Sequence, residues 1–313
     1  MSGAPPVFVD CDGEIAEFLT DRIVEIVSDI DIHWDKPASE AELIDRLSGR
    51  QHAMVYMAYL SSRVLAACPA LKTVTYLATG LTTHVDMEVA HRCGVEIQGV
   101  KGYGDRAVAE HAVTLMLCGL KQIALMDRRI RAGEWQLHRG EELAGKTIGL
   151  LGLGGIGNET AAIAAALGAH VIGWNRSSVS PDGPVTVLPL EEVLRRSDIL
   201  SLHLALTPQT ERFLDAGRIA CMKPGGVLVN TARAALVDQG ALMEALRSGQ
   251  LAHAALDVFH DEPPGADNPL FALDSVTLTS HSAWFTGQAI GRLLEAGFTI
   301  LKQQIDRHAT LRA

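Results

Sequence analysis

Aromatic side chains are scarce, at 5% of 313 residues, so any core must be built from Ala, Val, Leu and Ile rather than from packed rings. Basic residues are outnumbered as well: 27 Lys and Arg stand against 37 Asp and Glu, for a net charge of −10. No window concentrates Lys and Arg enough to follow a phosphate backbone, which argues against a nucleic-acid partner. An anionic ligand would have to be attracted by local groups against the overall field. The five cysteines, Cys11, Cys68, Cys93, Cys118 and Cys221, are scattered without a C-x-x-C pair and suggest neither a disulfide framework nor a zinc site. They read as small apolar core residues. No run approaches the roughly 18 apolar residues of a membrane helix, and Met1–Pro6 lacks the basic segment of a secretory signal. The expectation is a cytoplasmic protein with no membrane partner. What the chain does have is an ordinary globular balance, 48% hydrophobic and 20% charged. Its length, at about 150 residues per domain, predicts two domains.

Up to residue 100, short β-rich runs at Val7–Val9, Ala53–Met57, Thr73–Leu77 and Val95–Ile97 alternate with helical patterns near 14–28, 39–48, 61–67 and 85–93. That alternation predicts parallel β/α layering. One long helical pattern, with Ala109, Val113, Leu117 and Leu120 on one face, is expected from about Asp105 to Arg131 as a hinge between halves. A second alternation predicts strands near 147–151, 170–174, 185–188, 198–203, 226–230, 252–257 and 276–279. Thr207 with Pro208 suits a helix start, and Asp238 with Gly249 brackets a helix Gln239–Ser248. A last helix, about Thr286 to His308, could pack back on the first domain.

The most informative segment is Leu150-Leu151-Gly152-Leu153-Gly154-Gly155-Ile156-Gly157, a G-x-G-x-x-G that follows a strand and opens the Ala-rich helix toward Leu167. In that context it predicts a dinucleotide site. Gly152 permits the tight turn, Gly154 lets the backbone approach a pyrophosphate, and Gly157 allows close helix-to-strand packing. The helix N-terminus, with Gly155 and Ile156, supplies free N–H groups. The next strand ends in Asn175-Arg176-Ser177-Ser178, where an NAD site usually has Asp or Glu for the ribose 2′-OH. Asn175 would not repel a 2′-phosphate, and Arg176 with Ser177 and Ser178 could bind one, which favours NADP over NAD.

Three polar residues stand just beyond apolar runs: Arg233 in Val229-Asn230-Thr231-Ala232-Arg233, Glu262 in the segment Asp257–Pro263, and His281 in Thr279-Ser280-His281-Ser282-Ala283. Together with Ser201–Pro208 and Val108-Ala109-Glu110-His111, these segments resemble the D-isomer-specific 2-hydroxyacid dehydrogenases over nearly the whole chain.

The resemblance implies an α/β protein of two domains. One is a flavodoxin-like substrate domain from about 1–101 plus 285–313; the other is an inserted Rossmann domain from about 102–284, with the active site in the cleft. It implies NAD(P)H-dependent reduction of a small 2-oxo acid to the D-2-hydroxy acid, glyoxylate or hydroxypyruvate fitting an NADP preference. His281 is the expected acid/base, since imidazole titrates near neutrality. Glu262 would orient the ring and favour imidazolium, and Arg233 would hold the substrate carboxylate and polarise its carbonyl. The Thr79 and Gly80 amides in Leu77-Ala78-Thr79-Gly80-Leu81 are the expected second carboxylate contact. Thr207, Thr231 and Ala232 should flank the ribose and nicotinamide, with Asp257 at the carboxamide. The family's habit of homodimers built through the nucleotide domain implies the same here, by way of the 105–131 helix, and no metal is implied.

A different reading, a dinucleotide-sensing protein like the C-terminal-binding-protein corepressors, shares the fold and the residues. Formate or phosphite oxidation is a third, disfavoured because neither one's local motifs are present. The chain departs from the family wording at Ala205, Ala234-Ala235, Ser280 and Trp284-Phe285, and Thr82-Thr83-His84 lengthen the loop before Asp86. The two rings beside His281 could narrow the pocket or offer an apolar wall.

Overall fold

The computed structural model describes residues 4–81, 84–177 and 183–310. The chain divides into two compact units: residues 1–104 with 286–313, and residues 105–285 inserted between them.

In the first unit, strands β1 (Val7–Phe8), β2 (Asp31–Ile32), β3 (His52–Val55), β4 (Thr73–Tyr76) and β5 (Glu96–Gly99) form a parallel sheet in the order β2-β1-β3-β4-β5. This is the flavodoxin-like order. Strands β1 and β4 are buried along their whole length, as expected of runs covered on both faces. The terminal helix Gly287–Thr310 does return to this sheet. Phe298 meets Phe8 edge-on with centroids 6.4 Å apart, and Gln304 accepts from the Thr75 hydroxyl at 2.9 Å. Gly297 sits so close to Leu77 that a Cβ there would collide with it. The expected helix near 14–28 is instead three short turns, Gly13–Ala16, Asp21–Val24 and Glu25–Val27, and β2 has no counterpart in the expected strands. Two residues of strand, Asp31 exposed and Ile32 half-buried, carry too little pattern to be legible.

The second unit holds β6 (Thr147–Leu151), β7 (His170–Trp174), β8 (Val185–Val187), β9 (Ile199–Leu202), β10 (Gly226–Asn230), β11 (Leu251–Leu256) and β12 (Val276–Leu278). They form a parallel sheet ordered β12-β11-β10-β9-β6-β7-β8, which reverses direction between β6 and β9. Because side chains alternate across a strand, neighbours part to opposite faces. Val171, Ile199, Val227, Val229 and Ala255 join one core with helices Asp105–Lys121 and Gly155–Ala166. Ile172, Leu200, Leu228, Ala254 and Leu256 join another with helices Leu190–Arg196, Ala216–Ala220 and Gln239–Ser248. Helices thus cover both faces, and the α/β class is as expected.

Two local expectations fail. The 105–131 helix breaks at Gln122, whose φ of +52° is left-handed, and continues as Ile123–Arg131 bent by 62°. The first segment is buried along several faces, whereas Leu125 is the one buried residue of the second; packing, not propensity, sets the break. Thr207 starts no helix. The Thr210 hydroxyl accepts from the Thr207 N–H at 2.7 Å and donates to the Ala205 carbonyl at 2.7 Å, closing a single turn that ends at left-handed Arg212.

Candidate active site

Most of the expected site residues lie just past the carboxyl ends of parallel strands, where ligands collect in an open α/β sheet. After β6, Gly152 has φ +102°, and a Cβ there would lie 2.5 Å from the His203 carbonyl oxygen. Gly157 packs on Gly152 so closely that its own Cβ would collide with the Gly152 carbonyl, and Gly155 is equally closed off by the Asp105 carboxylate. Gly154 differs: it is the N-cap of helix Gly155–Ala166, and nothing lies within 4 Å of a Cβ placed on it. The protein's own packing requires glycine at 152 and 157 but not at 154, where a Cβ at the helix start would meet open space. That is the cradle a pyrophosphate needs.

Asn175, after β7, braces this loop. Its Oδ1 accepts from the Leu153 N–H at 3.2 Å, while Nδ2 donates to the Ser177 carbonyl at 3.1 Å and hydroxyl at 3.0 Å. Arg176 is exposed and makes no ion pair or hydrogen bond among the described residues. Ser178, and Thr82 and Thr83 in the other unit, lie outside the described residues.

Among the described residues, four buried side-chain polar atoms lack a partner; Asn158 Oδ1 and His203 Nδ1 belong to residues that touch this loop, and the Thr231 hydroxyl follows β10 in the same sheet. Unsatisfied buried polar atoms are costly, so a cluster of them beside a glycine cradle fits a polar ligand such as a dinucleotide. Burial pushes the His203 imidazole down to about 4. Thr207 is half-buried within its turn, its hydroxyl 3.1 Å from that of Thr210.

Past β10, Asn230 is buried and shapes the loop that carries Thr231, Ala232 and Arg233. Its Oδ1 accepts from the Ala232 N–H at 3.0 Å, and its Nδ2 donates to the Arg233 carbonyl at 2.9 Å. Arg233 is half-buried in extended conformation and donates to the Ala232 carbonyl at 2.7 Å, leaving further guanidinium N–H groups for a ligand. Asn230 belonged to a legible motif but had no assigned role; an Asn at a strand end facing its own loop is the signal for one.

The acid/base pair is built from two further strand ends. Glu262 Oε1 accepts from the Phe259 N–H at 2.9 Å, which holds the carboxylate, and Oε2 lies 2.6 Å from His281 Nδ1. A carboxylate only accepts, so Nδ1 carries the proton facing it, and Nε2 is the nitrogen free to exchange a proton with a ligand. The dyad is partly exposed, so a ligand can reach it. His281 itself has φ +51°, a left-handed conformation that costs a non-glycine residue about 1–2 kcal/mol.

Asp257, expected at a cofactor carboxamide, directly follows β11. It is fully buried, and its carboxylate accepts from the Thr279 hydroxyl at 2.6 Å, the Ser282 N–H at 3.0 Å and the Ala283 N–H at 2.9 Å. It grips the chain on both sides of His281, which stabilises the strained turn. Beyond that turn Trp284 and Phe285 meet edge-on, with centroids 5.2 Å apart.

In the first unit, Thr79 and Gly80 follow β4, and the Thr79 hydroxyl donates to the Val100 carbonyl at 3.1 Å. The same sheet edge holds a residue for which no role was expected: fully buried Asp10 accepts from the Tyr56, Met57 and Ala58 N–H groups at 2.7–2.8 Å and fixes the loop after β3. Burial raises its carboxyl above the ordinary range, the three amides opposing. A lone carboxylate directly after the apolar run Val7–Val9 was the available sign.

Known proteins resemble this chain in sequence and in fold. The chain is 36% identical over 286 residues to D-3-phosphoglycerate dehydrogenase of Mycobacterium leprae, covering 89% of this chain and 54% of that one. It thus spans about half the length of that relative. It is 37% identical over 268 residues to glyoxylate reductase of Aeropyrum pernix, covering 80% and 79%. Among solved structures it is similar to an acyclic imino acid reductase in complex with NADPH and D-Arg, at 27% identity and a TM-score of 0.84 over 96% of this chain and 97% of the other. The family model for the D-isomer specific 2-hydroxyacid dehydrogenase NAD binding domain matches residues 113–283. With the glycine cradle, the Arg233 loop and the Glu262–His281 dyad all inside that match or at its edge, the chain belongs to the D-isomer specific 2-hydroxyacid dehydrogenase family.

Proposed function

We propose that the protein reduces a small 2-oxo acid to the D-2-hydroxy acid, with NADPH preferred over NADH. The observation that carries this reading is the 2.6 Å Glu262–His281 dyad, held at the edge of a sheet whose Gly154 cradle suits a dinucleotide. When bound, a reduced nicotinamide supplies the hydride. Gly154, Gly155 and Ile156 would hold the pyrophosphate through backbone N–H groups, and the unpartnered Thr231 hydroxyl is available to the ribose side. His281 delivers a proton from Nε2 to the oxygen that becomes alkoxide, and Glu262 stabilises the imidazolium form that can do so. Arg233 binds the carboxylate and draws charge from the carbonyl. In the direction of oxidation, neutral His281 removes the hydroxyl proton.

The NADP preference is supported by Asn175 in place of an acidic residue and by the exposed Arg176 beside it, which pairs with no group among the described residues. Glyoxylate is the first substrate to try, because a glyoxylate reductase is among the relatives aligned over most of both chains. A homodimer built through the second unit is supported by Trp135 and Leu137, which are 85% and 88% exposed; light scattering on purified protein measures it. The function is tested by incubating the protein with NADPH or NADH and glyoxylate, hydroxypyruvate and pyruvate, following loss of the reduced nicotinamide. His281→Ala should abolish turnover while leaving dinucleotide affinity intact. Near-normal turnover by that variant refutes the assignment, and tight NADPH binding without turnover of any 2-oxo acid points instead to a sensing role.

A further inference from the structure

One run of polar groups in the second unit, buried at Asp257 and half-buried at His111 and Thr279, has no part in the reaction as described. His111, on helix Asp105–Lys121, brings Nε2 to 3.0 Å from the Thr279 hydroxyl oxygen and 3.5 Å from Asp257 Oδ1. The Thr279 hydroxyl oxygen lies 2.6 Å from that same Oδ1. The Thr279 hydroxyl has one proton and Asp257 can only accept, so that proton points to Asp257. The hydroxyl oxygen is then left to accept, which requires His111 to carry its proton on Nε2. Asp257 in turn receives the N–H groups of Ser282 and Ala283, immediately after left-handed His281.

We infer that His111 is a positioning residue for His281. Acting through Thr279 and Asp257, its Nε2–H fixes the turn from Thr279 to Ala283 in the one arrangement that points His281 Nδ1 at Glu262. Without that donor the Thr279 hydroxyl loses one of the two hydrogen bonds that orient it, and the carboxylate's hold on the chain two residues before the strained position is loosened. The inference rests on reading His281 as the proton donor, and it assigns a task to the His of the Val108-Ala109-Glu110-His111 segment that touches neither Glu262 nor the exchanging nitrogen.

The test uses the full chain with NADPH and glyoxylate, comparing His111→Phe, His111→Gln, Thr279→Val and Thr279→Ser, the double variant His111→Phe with Thr279→Val, and His281→Ala. His111→Phe and Thr279→Val should each lower kcat about tenfold, which is about 1.4 kcal/mol of barrier, with the KM for glyoxylate and the Kd for NADPH within about twofold of the parent. Gln at 111 and Ser at 279 keep the donor and the hydroxyl and should restore most of the rate. The double variant should be no slower than either single one, because both break the same chain. Independently of turnover, the His281 imidazole resonance of dinucleotide-free protein should be single in the parent and broadened or doubled in His111→Phe and Thr279→Val. The inference is overturned if that resonance is unchanged in both variants, or if Gln at 111 is as impaired as Phe. Turnover surviving in His281→Ala would defeat the proton-donor reading alone, since the resonance still reports whether His111 holds the turn.

Discussion

The glycine loop offers a separation of folding from ligand binding that two single substitutions can measure. Gly154→Ala adds a methyl where nothing lies within 4 Å, at a residue whose φ of −81° any amino acid adopts. The protein alone should tolerate it, at a cost of about 0.5–1 kcal/mol for a poorer N-cap. Gly157→Ala forces a methyl to under 3.0 Å from the backbone carbonyl of Gly152, and neither partner is a flexible side chain that could give way. The helix must shift off the strand, an overpacking cost of about 1–3 kcal/mol. At about 2–4 °C per kcal/mol for a unit of this size, the melting temperature should fall by about 2–12 °C. Dinucleotide binding should behave differently. In Gly154→Ala the new methyl occupies the approach of the pyrophosphate to the loop amides, and losing one charge-assisted hydrogen bond, about 1.5–3 kcal/mol, weakens binding tenfold or more. Thermal melts of ligand-free protein and calorimetric titration with NADPH and NADH report the two effects separately. The reasoning is refuted if Gly154→Ala binds both dinucleotides as tightly as the parent, or if it melts as low as Gly157→Ala.

Three further outcomes are expected. Glu262→Gln removes the carboxylate that lies 2.6 Å from His281 Nδ1 and orients its ring, so kcat for reduction should fall about tenfold or more; a parental kcat contradicts the role given to Glu262. Arg176→Ala should raise the KM for NADPH about tenfold and leave that for NADH unchanged, whereas equal effects on both would remove Arg176 from 2′-phosphate recognition. His253, buried against helix Asp105–Lys121, has its imidazole pushed down from 6.5 to about 4 by burial and then by Arg128. The unfolded chain therefore binds a proton that the folded one refuses, so stability is intact above pH 6.5 and falls as pH drops toward 4, by about 3 kcal/mol from this residue. Urea unfolding at pH 7 and 4.5 should show a smaller difference in His253→Gln than in the parent, and an equal difference would show that another group dominates.

Local order determined much of this protein in advance. Apolar runs alternating with helical periods specified parallel β/α layers, because both faces of such strands are covered and the chain must cross over between them. The G-x-G-x-x-G after β6 marked the dinucleotide loop within eight residues, Leu150 to Gly157, although the close approaches that demand glycine there come partly from His203 and Asp105. Arg233, Glu262 and His281 stood out as polar residues at strand ends, and two of them, Glu262 and His281, meet in the fold.

Tertiary packing decided what depends on residues far apart in the chain. The break at Gln122 falls three residues after Gly119 inside a helical pattern that runs on, and the two segments differ in how much of their surface they bury. Asp257 grips residues 279–283 from within, a consequence of β11 lying beside β12. His111, 168 positions before Thr279, reaches it only because helix Asp105–Lys121 packs on the same sheet. A sequence states which groups can donate and accept, and local geometry follows from neighbours along the chain. Which donor meets which buried acceptor is fixed only once burial removes water as the alternative partner.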